Sequence, residues 1–305
     1  MTGFFMLSGY SLIISNGKKD YRTVNNAITF YKKRFISIYP LYIVAGYLGV
    51  AMFILMGSQN IIDNLILLPV ELLCVQSFYD SLFSFSHNAG SWFISCLVAC
   101  YFLFPWLNLL IGRLKRKQLM LLLLLLILLL SYFPYITERF QTSSIYANPF
   151  FRVLEFISGM TIGMINIQTG PRDSSVITLL RSPVMMCLCV VALVLGFTYC
   201  RIFGVYMHWM PILFVSILLF GAGSIPFPKC WNNKYILYLS AISYAFFLGQ
   251  KFVWFPTKYI LRYSNFHIGN IPFILFMLLA CVISAILLHE LIEKKAGAIL
   301  KQKML

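Results

Sequence analysis

The chain has 305 residues, 60% of them hydrophobic and only 11% charged, with 24 Lys and Arg against 9 Asp and Glu for a net charge of +15; its mean hydropathy is +0.84. Ordinary soluble domains carry roughly 45–50% apolar and about 25% charged residues, so a soluble enzyme, a disordered tail and a disulfide scaffold are disfavoured together. The remaining class is an all-α polytopic transmembrane bundle, one domain over residues 1–305, in which the excess of Lys and Arg orients helices rather than binding nucleic acid.

A span needs about 20 apolar residues to cross roughly 30 Å of hydrocarbon. After a short apolar run at Gly3–Ser15, the sequence predicts spans at Ile36–Met56, Trp92–Ile111, Leu119–Ile136, Phe150–Ile167, Val184–Phe203, His208–Ile225, Tyr235–Phe255 and Ile271–Leu291. The Leu-rich stretch Leu119–Leu130 is explained by exposure to lipid. Basic residues cluster between alternate runs: Lys18, Lys19, Arg22 and Lys32–Arg34; Arg113 and Lys115–Lys117; Arg172 and Arg181; Lys229 and Lys234; and Lys294, Lys295, Lys301 and Lys303 at the end. Such loops stay in the cytoplasm, which puts the C-terminus there.

The alternation requires that Ile61–Gly90, interrupted by Asp63, Pro69 and Glu71, make no net crossing, because its 80–90 end has no Lys or Arg. It reads as a re-entrant or interfacial element on the outer side. About nine spans remain, with residue 1 outside. The opening run is short for a span and has no basic segment before it, unlike a signal peptide. It reads as following a helix that this sequence lacks, the alternative being a short tilted helix in a thinned bilayer.

Patches in order along the chain carry a resemblance: FFMLSGYSL (Phe4–Leu12), FYKKRFISIYPLY (Phe30–Tyr42), SWFISCLVACYFLFP (Ser91–Pro105), FRVLEFISGMTIG (Phe151–Gly163), YLSAISYAFFLGQ (Tyr238–Gln250) and LHELIEKK (Leu288–Lys295). Together they resemble the bacterial membrane acyltransferase type 3 family of surface-polysaccharide and O-antigen O-acyltransferases. The resemblance implies a ten-helix protein of the bacterial inner membrane. Such a protein moves an acyl group, commonly acetyl, from cytoplasmic acyl-CoA to a hydroxyl of a surface or lipid-linked glycan. Acyl-CoA is then a donor substrate, and no tightly bound cofactor is expected. The family's catalytic His lies on a first helix that precedes the SGY segment and is absent here, so no catalytic residue is assigned.

Lys32, Lys33 and Arg34 could bind acyl-CoA phosphates, Arg as a fork and Lys as a point charge; as a bare pattern they equally suit a cytoplasmic anchor. The resemblance implies an Arg-rich donor motif in this loop, although Ser37 stands where relatives often carry a second Arg. Arg152 and Glu155 share a helix face at i,i+3 and suit either a structural ion pair or a cavity that holds the acceptor or acyl group. Trp92, Ser95, Ser243 and Tyr244 match family positions but also suit interface anchoring and helix–helix hydrogen bonds. Gln250 stands where many relatives have His; it can bind a substrate but cannot act as a general base.

His87, His208, His267 and His289 favour surface or packing roles. The eight cysteines show no metal-ligand or CxxC pattern, so neither a metal nor a disulfide is expected. The expected partners are membrane lipids and the saccharide acceptor. Two competing readings are a glycan transporter or flippase, against which the absence of a hydropathy repeat counts, and an inactive, N-terminally truncated acyltransferase.

Overall fold

Apolar runs of this length must satisfy their own backbone when no water is present, and helices do so within a single segment. The computed structural model describes residues 1–55, 61–79, 82, 90–139, 147–169, 182–203, 209–222, 233–264 and 269–304. The expectations placed on the 80–89 loop, His87, His208, His267, Arg172, Arg181 and Lys229 lie outside these residues.

The described helices are α1 (Thr2–Asn16), α2 (Val24–Leu55), α3 (Ile61–Leu72), α4 (Ser91–Gly112), α5 (Arg116–Arg139), α6 (Pro149–Gln168), α7 (Pro183–Phe203), α8 (Trp209–Ala222), α9 (Lys234–Ser264), α10 (Asn270–Leu288) and α11 (Lys294–Met304). A 3-10 turn covers Gln76–Phe78, and a π turn at His289–Glu293 joins α10 to α11. Each predicted span corresponds to a helix. Six helical stretches, at Val24–Met52, Ser91–Gly112, Arg116–Phe133, Pro149–Gln168, Lys234–Leu261 and Ile271–Met304, are long and apolar enough to cross a membrane. Pro183–Tyr199 and Pro211–Ala222 are shorter apolar helices, and α1 has 15 residues. The structure thus supports a multi-helix membrane bundle, while the figure of nine spans rests on charge alternation alone.

The chain forms two compact units, one of Met1–Ala27 with Cys96–Pro226 and one of Ile28–Ser95 with Phe227–Leu305. In the first, α6 is central and packs against α1, α5 and α8. Asn148 opens α6 as its N-cap, with its side chain accepting from the Phe150 and Phe151 amides at 2.9 and 3.3 Å. Pro149 fits the first turn, where its missing N–H costs nothing. The α5–α6–α8 core gathers Leu130, Phe151 and Ile212.

The leucine run on α5 divides by helix face. Leu119, Leu123, Leu126 and Leu130 are buried, and Leu121, Leu124, Leu125 and Leu128 are exposed. The spacing of four, three and four is one stripe of a helix, so lipid exposure accounts for half of the run and packing for the other half.

Helices α1 and α6 approach each other closely. A Cβ on Gly9 would collide with the Phe156 carbonyl oxygen, and a Cβ on Gly159 with the Met6 carbonyl oxygen. Small residues let helix backbones meet in this way in membranes, where apolar area alone does not drive association. Gly159→Ala should therefore destabilise the protein by about 1–3 kcal/mol. Gly297→Ala, whose Cβ meets nothing within 4 Å, should stabilise by up to about 1 kcal/mol from helix propensity. Thermal unfolding of both variants in detergent checks this contrast.

Candidate functional site

A guanidinium or carboxylate in an apolar bundle must find a partner or a wet cavity. Arg152 and Glu155, one turn apart on α6, find each other. A single terminal nitrogen of Arg152 donates to both Glu155 carboxylate oxygens at 2.7 and 2.8 Å, and the side chains are 6% and 0% exposed. The Phe5 and Phe151 rings flank the guanidinium at 5.6 and 5.5 Å, adding cation–π attraction in a desolvated place. This geometry favours the structural reading of the pair. Elsewhere in this unit, Tyr101 and Ser8 hydroxyls meet at 3.3 Å, and Asn166, near the other end of α6, donates to Tyr10 Oη at 3.1 Å.

The second unit contains a polar cluster that the sequence marked only as an interruption. Helix α3 has 12 residues, about 18 Å at 1.5 Å per residue, which is too short to cross. Its end is closed by two bonds, Cys74 N–H to Glu71 O at 2.9 Å and Val75 N–H to Val70 O at 3.2 Å. This is the Schellman pattern, which needs a left-handed residue after the helix, and Cys74 takes it with φ of 56°.

The carbonyls freed there are capped by other elements. Tyr39 Oη donates to Leu72 O at 2.8 Å, Tyr42 Oη to Glu71 O at 2.6 Å, and Ser95 Oγ to Cys74 O at 2.5 Å. Gln76 Nε2 donates to Tyr42 Oη and Ser91 O at 3.1 and 3.0 Å, and Ser77 Oγ to Trp92 O at 2.9 Å. Tyr42 lies 13 residues before the end of α2, so the tip of α3 has returned about 20 Å along that helix. Helix α3 thus runs back alongside α2.

Glu71 is 4% exposed and electrostatically coupled to half-buried Lys251 of α9. It lines a cavity with Tyr42, Ile43, Ala45, Gly46, Leu68, Leu72, Ser91 and Leu248, which has about 350 Å³ of empty space including its open part. The Cys74 side chain is buried here. Asp/Glu within an apolar run two residues after a proline is the signal in the sequence that could have found this cluster.

The remaining residues singled out in the sequence take various places. Trp92 is buried and offers its backbone carbonyl to Ser77. Tyr244 donates to Ile38 O at 2.9 Å, tying α9 to α2. Ser243 and Gln250 are exposed and bond to Ser240 O and Phe247 O of their own helix. None of these four lines the cavity. Lys32, Lys33 and Arg34 are successive residues on α2, about 100° apart around the axis, so they fan out. Lys32 Nζ donates to Met304 O at 2.8 Å, Lys33 is exposed, and Arg34 lies 5.4 Å from the Phe30 ring centroid. His289 Nδ1 sits 2.9 Å from Glu293 in the π turn, a packing role.

Apolar helices with a buried ion pair and outward-facing leucines define a multi-pass membrane protein. The chain belongs to the acyltransferase 3 family, whose model, described as an acyltransferase domain, matches residues 1–290 across both units. It is 29% identical over 186 residues to Acyltransferase MdmB of Streptomyces mycarofaciens, a match covering 55% of this chain and 46% of that protein. The chain thus spans about half the length of this curated relative. No solved structure matches it.

Removing one partner of a buried pair leaves an uncompensated charge, whereas replacing both with apolar groups of similar size is often neutral or stabilising. Arg152→Ala should lower stability by about 3–5 kcal/mol, and the double variant Arg152→Met, Glu155→Leu should recover most of it. Melting in detergent decides: equal losses in single and double variants would argue against a structural pair. Tyr42→Phe, which uncaps Glu71 O, should cost about 1–3 kcal/mol and quicken proteolysis at residues 73–77.

Proposed function

We propose that this protein is a membrane O-acyltransferase. It takes an acyl group, with acetyl as the expected one, from acyl-CoA on the cytoplasmic side of a bacterial inner membrane and passes it to a hydroxyl of a surface or lipid-linked glycan. The observation that carries this reading is membership of the acyltransferase family over residues 1–290.

The physical logic supports it. The donor is a polyanion that approaches from water, and Lys32, Lys33 and Arg34, although fanned around α2, place cations in the first third of a long apolar helix. The acceptor is polyhydroxylated and needs a polar opening within the bundle. In this reading the C-terminus, rich in lysine, is cytoplasmic.

The reaction is a transfer between oxygen and sulfur. The acceptor hydroxyl oxygen attacks the thioester carbonyl and loses its proton, the carbon–sulfur bond breaks, and CoA leaves as its thiol. No residue of the chain is assigned as the base.

Membranes from cells expressing the complete gene, supplied with radiolabelled acetyl-CoA, should place label on glycan. A correctly inserted protein that transfers none would sink the reading, and glycan translocation without acylation would support a carrier instead. Arg34→Ala should raise the KM for acyl-CoA by about 10-fold or more, as expected for loss of a charge-assisted hydrogen bond. An unchanged KM makes the three cations an anchor only.

A further inference from the structure

The cavity beside α3 has an uneven lining. From α2 come Ala45 and Gly46, the two smallest residues of the lining, and from other elements come Leu68, Leu72 and Leu248. A Cβ on Gly46 would meet nothing within 4 Å, so this glycine leaves a notch rather than serving a close helix contact. Tyr42, Ser91 and Glu71 complete a lining that is mostly apolar. The cavity has room for about one water-sized group, which is also the size of a methyl.

The notch lies on the helix that carries Lys32, Lys33 and Arg34. Arg34 and Ala45 are eleven residues apart on α2, about 16 Å along the axis and within about 20° of the same face. A pantetheine arm separates the phosphates of CoA from its thioester by a comparable length. Charge sorts the two ends as well. Phosphates are attracted to Lys32–Arg34 and repelled by Glu71, while a neutral acyl chain gains from the apolar walls at the other end.

On these grounds we infer that the notch formed by Ala45 and Gly46 against Leu68, Leu72 and Leu248 holds the acyl group of the donor and restricts it to two carbons. This rests on the acyl-CoA reading above and goes beyond it by assigning the acyl site and its size limit.

The test measures binding of CoA, acetyl-CoA, butyryl-CoA and hexanoyl-CoA to the purified full chain in detergent. Each buried carbon contributes about fourfold in affinity. The wild type should prefer acetyl-CoA to CoA by about fourfold and gain nothing further from longer chains. Gly46→Leu fills the notch and should reduce the acetyl-CoA to CoA ratio to about one. Leu68→Ala enlarges it and should make butyryl-CoA bind about 16-fold tighter than acetyl-CoA, a gain that loss of fold cannot produce.

CoA binding with no dependence on chain length in the wild type, or unchanged ratios in both variants, overturns the notch while leaving the acyl-CoA reading intact. If neither CoA nor any acyl-CoA binds the wild type, the donor reading falls, and the inference with it.

Discussion

Hydrocarbon offers no hydrogen bonds, and that constraint organises the polar chemistry of both units. In the first unit it forces Arg152 onto Glu155 at 2.7 Å. In the second it forces the backbone carbonyls at the end of α3 onto Tyr39, Tyr42 and Ser95. A short helix can end inside an apolar bundle only where neighbouring helices supply such donors, and α2 and the start of α4 do so. The left-handed Cys74, a conformation costing of order 1–3 kcal/mol in a non-glycine residue, persists because these bonds over-determine it.

The same constraint explains why the helices need glycine. Between two apolar helices in lipid there is little area-driven attraction, so contact depends on backbone approach and local hydrogen bonds. The meeting of α1 and α6 at Gly9 and Gly159 is of this kind, and it brings Phe5 against the Arg152 guanidinium. Packing and charge burial are therefore two aspects of one contact: the α1–α6 crossing that small residues permit also seals the ion pair.

Much of the fold was legible in the sequence because span length is set by bilayer thickness, and every apolar run became a helix. The pairing of Arg152 with Glu155 was legible too, since i,i+3 neighbours need no tertiary information. Other features were not. A run of leucines carries no contrast between its faces, so the buried stripe of α5 appears only when α6 and α8 are placed beside it. Gly9 and Gly159 sat inside recognised motifs without revealing that they face each other across two helices. Glu71 read as a blemish in an apolar run, because its surroundings come from residues as distant as Tyr42, Ser91 and Lys251. The three cations at 32–34 read as one cluster, whereas helix geometry fans them apart.

The position of the Arg152–Glu155 pair on one helix also bears on how the protein is made. A lone charge in an apolar segment is costly to insert, and a partner on another helix could offset this only after that helix had arrived. Here both charges belong to the same nascent segment, one turn apart. The segment can enter the bilayer already neutralised, independent of the order in which its neighbours emerge from the ribosome.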